Sequence, residues 1–380
     1  MPDTAPLRIA QANFHLLWGG QAEVVLALSK ALAARGHDVT VVCPPGSELA
    51  SRAAEARLSV FTGCRFRKGF RPLSFCGDVL RLGAFLREKG VQVCHCHGSQ
   101  DHWIGALAAW RRSPATRVFR TRHNIYPIRN HCFNRWLFRD LTAQVITIFG
   151  AQKRFFTDAG LLPADRLVTL HSPLPQEFAD ARDVPRVLRS ELKLDDATLL
   201  VGFVANSFHP DKAPLDFVAA AEKVARDLPR VRFALVGHGP LEAEMRAKAA
   251  ATGCPERFYF TGFRKDMLQV MASLDLVVLT SVAREASSTV LKQAGALGVP
   301  VVATDVGGTC EIVGDGRTGL LVRPGNVDLI AAAMIALLTD RARASAFGAA
   351  AKEKVLAEFT AAAIAEKTEA LYRRALEGGV

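Results

Sequence analysis

Residues 284–308, REASSTVLKQAGALGVPVVATDVGG, restrict this chain more than any other stretch. An apolar run, Leu274–Leu279, leads into Glu285 and then into Ser287, Ser288 and Thr289, which suit the start of a helix. The helical run Val290–Leu297 stops at Gly298, and Pro300 opens a second strand-like run that ends in Val306-Gly307-Gly308. Strand, loop, helix, strand, loop predicts a parallel α/β unit, with both loops at the carboxyl ends of strands, where ligands bind. Amides at the helix start favour an anion. Glu285 stands beside that position and can accept hydroxyl protons. Amides for phosphate and a carboxylate for hydroxyls suit a sugar joined to a diphosphate.

The same pattern runs through the rest of the chain. A length of 380 residues implies two domains. In the first half, strand-like Leu7–Ala12 is followed by Trp18-Gly19-Gly20, a helical run Gln21–Ala34 and a strand Val39–Cys43. The turn lacks G-x-G-x-x-G spacing, so a dinucleotide fingerprint is not supported. Strands at Val91–His97 and 117–122 run into His97-Gly98 and His123-Asn124. The crossing falls at His171–Pro175 and the charged stretch Asp180–Arg189. Then the pattern restarts. Strand Leu199–Ala205 is followed by a polar loop Asn206–Lys212, a helix, strand Val231–Val236, and Phe258–Phe260 leading to Gly262. Helices at 327–338, 340–357 and 361–375 close the chain.

Charge is unevenly spread. The net charge is +11, and residues 61–154 hold 17 Lys/Arg against 4 Asp/Glu, leaving 31 and 33 elsewhere. No nucleic-acid motif accompanies this surplus. An anionic membrane surface or an anionic acceptor is the expected partner. The basic, aromatic stretch Cys64–Phe75 reads as a loop that contributes to it, and Cys132–Leu141 reads as a helix burying Phe133, Trp136 and Leu137. No apolar run reaches the roughly 18–20 residues of a membrane span. The first residues lack a signal-peptide layout. A cytoplasmic protein is expected, peripheral at the inner membrane face. The eight cysteines are scattered and resemble no disulfide framework. Cys94-His95-Cys96-His97 suggests a metal, but strand alternation sends the two Cys to one face and the two His to the other, so no metal site is expected.

Taken together, these motifs resemble the retaining glycosyltransferases of family 4. The matches are Gly19-Gly20 with Glu23, ARGHDVTVV at 34–42, His97 in an H-x-H strand end, and Thr121 and His123 in T-x-H. They continue with Lys212 in PDKA, VGHGPLEAEM at 236–245, FTGFRKDM at 260–267, Glu285, and GVPVVATDVGGTCEIVGDGRTGLLVRPGN at 298–326. The resemblance implies an α/β protein of GT-B fold, two Rossmann-like domains facing across a cleft. It places an acceptor-side domain at 1–180, a nucleotide-sugar-binding domain at 181–358, and a final helix at 359–380 returning to the first. It implies that Glu285 holds donor-sugar hydroxyls, Lys212 the diphosphate, and His97 the sugar near the reacting centre. Gly19 and Gly20 would cover the diphosphate. Gly262 and Phe263 would touch the base, and Asn206, Arg264, Arg284, Ser287, Ser288 and Thr289 would complete the donor side. Arg65, Arg67, Lys68, Arg71 and His123 fall on the acceptor or membrane side. The donor is a nucleotide-diphosphate sugar, the acceptor a glycan or lipid-linked molecule, and no cofactor or metal is expected.

Two positions depart from the family. Gln293 stands where a second Glu would hold ribose hydroxyls; Gln can accept from one hydroxyl and donate elsewhere. Ala205-Asn206-Ser207 stands where Gly-Arg often precedes the lysine, so one diphosphate cation is missing, and Arg264 or Arg284 is expected to replace it. Two other functions share this architecture: a non-hydrolysing nucleotide-sugar epimerase and a non-catalytic donor-binding subunit. The epimerase would need ring-proton bases beyond Glu285. Donor turnover would exclude the non-catalytic reading.

Overall fold

The structure is a computed structural model and describes residues 5–67 and 71–378. The chain divides into two compact units, residues 1–173 with 361–380, and residues 174–360. The boundary thus precedes Leu174 rather than following residue 180. Leu174 and Phe178 are buried in the core of the second unit, so the crossing segment belongs there.

The first unit is a seven-stranded parallel sheet in the order β3-β2-β1-β4-β5-β6-β7. Its strands are β1 (Arg8–Ala12), β2 (Asp38–Val42), β3 (Ser59–Phe61), β4 (Val93–Cys96), β5 (Arg117–Arg122), β6 (Gln144–Thr147) and β7 (Leu167–Thr169). The second unit has six parallel strands in the order β10-β9-β8-β11-β12-β13. These are β8 (Leu199–Val204), β9 (Val231–Val236), β10 (Phe258–Gly262), β11 (Leu276–Leu279), β12 (Val301–Thr304) and β13 (Leu320–Val322). Strands buried on both faces read as continuous apolar runs, and β11 (LVVL) and β12 (VVAT) are buried throughout. In each sheet the order reverses beside the first strand, at β1/β4 and at β8/β11. The carboxyl ends around such a reversal form the crevice where α/β proteins bind ligands.

The final helix, Ala361–Leu376, packs with the first unit, burying Ile364, Ala365, Leu371 and Tyr372 against Leu28, Leu32, Phe119 and Ile146. Two sequence expectations need correcting. The stretch 64–75 is not one loop, because a helix begins at Pro72, where a missing N–H costs nothing. Lys68 lies outside the described residues. In the helix Cys132–Asp140 the buried pair is Leu137 and Phe138, while Phe133 is 65% exposed. Phe138 packs with Phe156 and its neighbours, and Leu137 joins the core that contains Ala106, Ala109 and Val118, so the inward face is fixed one position later than hydrophobicity alone suggests.

Candidate active site

In the second unit the turn after β8 and the loop after β11 meet. Lys212 closes a short turn, Pro210–Lys212, after which Ala213 takes a left-handed backbone, φ 43°, before the helix Pro214–Asp227. Thr280 at the end of β11 fixes this turn, its hydroxyl donating to the Lys212 carbonyl at 2.8 Å and the Ala213 carbonyl at 3.0 Å. The Val282 amide donates to the Asp211 carbonyl at 2.8 Å. The result places the Lys212 ammonium 2.6 Å from Oε2 of Glu285, and the Ser281 hydroxyl donates to the same oxygen at 2.8 Å. Glu285 is only 6% exposed.

Gly307 holds this loop from the other side. Its φ is +62°, and a Cβ there would lie 1.8 Å from the Glu285 carbonyl oxygen. Only glycine permits that approach. Next to it, the Gly308 amide donates to the same carbonyl at 3.0 Å. The helix Thr289–Ala296 then starts at Ser288, whose hydroxyl accepts from the Leu291 amide. Ser287 is half-buried, Ser288 buried and Thr289 exposed. Gln293 is half-buried on the same helix.

The two arginines expected to replace the missing cation sit in ion pairs. Arg264 donates to both oxygens of Glu191, at 2.8 and 2.9 Å, and to both oxygens of Asp266, at 2.8 and 2.6 Å. Its guanidinium is held well above its ordinary pKa by Asp266 and Glu191, so its charge is already matched. Arg284, in a left-handed conformation at φ 54°, lies 2.6 Å from Asp211 and holds that carboxyl below its usual range. The base-side residues lie at the end of β10: Gly262 has φ 68°, and Phe263 is 60% exposed with His238 against its edge at 5.8 Å. Asn206 is exposed at the end of β8.

One cation escaped the sequence reading. Lys292 has no exposed surface, and its Nζ donates to the Ser287 hydroxyl at 3.1 Å. Burial pushes its pKa down to about 7, opposed by the Glu285 charge. The signal was present: on a helical wheel, 288, 291, 292 and 295 share one face, and that face is the buried one.

The carboxyl ends of the first unit carry a different arrangement. Alternation on β4 holds, with Cys94 and Cys96 sulfurs 3.9 Å apart and the His95 and His97 rings stacked at 4.2 Å. Among the described residues no group of three or more His, Cys, Asp or Glu could hold a metal ion. The histidines instead join a chain of hydrogen bonds. His97 Nε2 meets Gln11 Oε1 at 2.7 Å, and Gln11 Nε2 donates to the Tyr372 hydroxyl at 3.1 Å. That hydroxyl lies 2.6 Å from His95 Nδ1, and His95 Nε2 lies 2.7 Å from the Thr121 hydroxyl. His123 Nε2 lies 2.9 Å from His97 Nδ1. Burial holds His95 and His97 well below the ordinary histidine pKa and His123 at about 3, so all three are neutral. His97 therefore uses both ring nitrogens inside its own unit. Half-buried His123 is the outer member of the chain.

Elsewhere in this unit Gly19 and Gly20 start the helix Gly20–Ala34, and a Cβ on either would meet nothing within 4 Å. A groove of about 600 Å³ is lined by Phe14, Leu16, Leu17, Arg65, Phe66, Arg67 and Arg71. The Asp78 carboxylate ties its wall by accepting from the Arg65 and Phe66 amides at 3.0 and 2.9 Å, leaving Arg65 and Arg67 exposed. The basic surplus is not all on the surface, however: Arg120 is 4% exposed.

Residues 198–340 match the model of the glycosyl transferases group 1, and residues 18–178 match that of glycosyltransferase family 4. The chain belongs to this glycosyltransferase family. A 2-deoxystreptamine N-acetyl-D-glucosaminyltransferase from Streptomyces fradiae is 35% identical over 213 residues, 54% of this chain and 50% of that one. The chain thus spans about half the length of that curated relative, and 46% of a 2-deoxystreptamine glucosyltransferase from Streptomyces kanamyceticus. An N-acetyl-alpha-D-glucosaminyl L-malate synthase from Bacillus anthracis is 24% identical over 93% of both chains. Among solved structures, a glycosyltransferase from Rickettsia africae has a TM-score of 0.85 at 16% identity, covering 98% of this chain and 99% of that one. Anabaena HepE in complex with UDP has a TM-score of 0.79 at 20% identity, covering 96% and 99%. These likenesses give this family member the α/β architecture of the GT-B type, two Rossmann-like units. No helix among its described residues is long and apolar enough to cross a membrane.

Proposed function

We propose that this chain is a retaining glycosyltransferase that moves a sugar from a nucleotide-diphosphate sugar to a glycan or lipid-linked acceptor, in the assembly of bacterial surface polysaccharide or lipopolysaccharide. The observation that carries the reading is the Lys212–Glu285 pair, 2.6 Å apart at the carboxyl ends of β8 and β11 and locked by Gly307. A carboxylate held this way accepts from sugar hydroxyls. The adjacent ammonium and the first amides of the Thr289–Ala296 helix face a diphosphate. HepE was crystallised with UDP-glucose, which supports a nucleotide sugar as donor.

In this mechanism the bond between the anomeric carbon and the phosphate oxygen breaks, and its electron pair goes to the diphosphate. Negative charge grows there, where Lys212 and the helix amides stabilise it. The acceptor oxygen attacks from the same face, and its proton passes to the departing phosphate oxygen. Glu285 orients the ring so that the anomeric carbon faces the acceptor. Positive charge comes from the protein's own groups, so no metal cofactor is required. On the first unit, the groove with Arg65, Arg67 and Arg71 and the exposed Leu16 and Leu17 suits an anionic, partly apolar acceptor or the membrane surface that carries it.

Thermal shift against a panel of nucleotide sugars identifies the donor, and NMR of the product gives the anomeric configuration. The expected result is one donor class that stabilises the protein, with configuration retained and turnover unaffected by EDTA. Inverted product would overturn the retaining mechanism, and absence of stabilisation by every nucleotide sugar would overturn the donor assignment.

A further inference from the structure

Lys292 is an ammonium group set into the buried face of the site helix. The helix Thr289–Ala296 packs it inward beside Leu291 and Gly295, where the Arg341–Glu358 helix presents Ala351 and Val355. The strands beneath, β11 and β12, are apolar or hydroxyl-bearing, and the neighbouring helix Met267–Ala272 carries no charge. On the other neighbouring helix, Gln176–Ala179, Glu177 is exposed. The Glu285 charge acts on Lys292, opposing the effect of burial. Burying an ammonium is costly, and an apolar side chain of similar length would fill the space at lower cost.

The geometry gives it a use. Glu285 has two ammonium groups acting on it: Lys212, half-buried at 2.6 Å, and Lys292, fully buried, tied to Ser287 two residues further along the loop and sensing the Glu285 charge. Without ligand, Lys212 is committed to Glu285. A diphosphate draws Lys212 toward itself, and Glu285 would then be left buried with a poorly compensated charge. We propose that Lys292 is a positioning residue of the donor site, holding the 285–288 loop through Ser287 and remaining as the fixed counter-charge of Glu285 when Lys212 turns to the donor diphosphate. This rests on the reading of the site as one for a nucleotide-diphosphate sugar. The ammonium sits near its titration point at neutral pH, so an arriving dianion completes its protonation. Other charged groups on the elements packed around the loop include Lys212, the Arg284–Asp211 pair, half-buried Glu311 on the Thr309–Ile312 helix, and the half-buried Lys354–Glu358 pair on the Arg341–Glu358 helix.

The test is calorimetric binding of UDP, GDP and ADP at pH 7.5, above the phosphates' own titration near pH 6, in two buffers of different ionisation enthalpy. It compares wild type with Lys292→Met and Lys292→Arg. Wild type is expected to take up a fraction of a proton on binding its preferred nucleotide. Lys292→Met should take up none and should bind about tenfold more weakly, with the loss larger at pH 6.5 than at pH 8.5. Lys292→Arg should recover affinity without the proton uptake. If wild type binds a nucleotide with no proton uptake, the inference fails whether or not the variants fold. Equal affinity and equal uptake in wild type and Lys292→Met would also sink it. Binding of none of the three nucleotides by wild type is a different outcome and removes the donor-site reading itself.

Discussion

The two units repeat one architecture but furnish their strand ends in opposite ways. In the first, three histidines, Gln11, Thr121 and Tyr372 satisfy one another and remain neutral. In the second, Lys212 pairs with Glu285 and Arg284 with Asp211, and the buried Lys292 is bonded to Ser287 of the same loop. A neutral, saturated network fixes geometry but does not answer a ligand's charge. A cluster of ion pairs can re-partner when a polyanion arrives. On the proposed function, the charged groups of the second unit are the ones that respond to a leaving diphosphate, while the first unit's network keeps a fixed geometry.

The largest effect should come from breaking the charged side. Lys212→Met is expected to lower kcat by about 10²–10³, the scale for removing one donor to developing charge, with its folding intact by circular dichroism. A loss under tenfold would show that charge at the leaving group is supplied elsewhere. Tyr372→Phe breaks the neutral side. It strands Gln11 and His95 without their shared hydroxyl, and should cost about 1–3 kcal/mol of stability in denaturant unfolding while leaving nucleotide affinity unchanged.

The pH dependence separates the two regions by sign. Neutral buried histidines have folded pKa values below their unfolded 6.5, so their stabilisation is present above pH 6.5 and is lost as pH falls toward about 3 for His123. Hydrogen exchange of the β4 and β5 segments should therefore accelerate in that window. Lys292 also has a depressed pKa, but its charged form is the acid form. The unfolded chain binds more protons between pH 7 and about 10.5, so stability rises with pH there, by at most ~1.4 kcal/mol per pH unit. Comparing wild type with Lys292→Met over pH 7–10 isolates this slope; parallel stability curves would contradict it. The smallest effect belongs to Arg264→Gln. Its guanidinium already serves Glu191 and Asp266, so nucleotide affinity should change by less than about twofold, the scale of an exposed ion-pair rearrangement.

Much of this was legible in the chain. Apolar runs bounded by glycine and proline marked the strands, and the Ser288 cap marked where the site helix begins. The positions of Glu285, Lys212 and His97 at strand ends followed from order alone. Other features were not legible, because they depend on residues far apart in sequence. The rings of His95 and His97 are claimed by Gln11, Thr121, His123 and a tyrosine 277 residues from His95. The charge count over residues 61–154 included Arg120, yet Arg120 is buried.

The sequence by itself determined the two parallel α/β units and the ends of the strands where chemistry is placed, since local hydrophobic period and turn residues are short-range signals. Only tertiary packing decided which charges at those ends are matched and which are buried. An ion pair or a buried ammonium depends on what the folded chain brings within a few ångströms. Arg264 paired with Glu191 and Lys292 buried against Ser287 are both settled there.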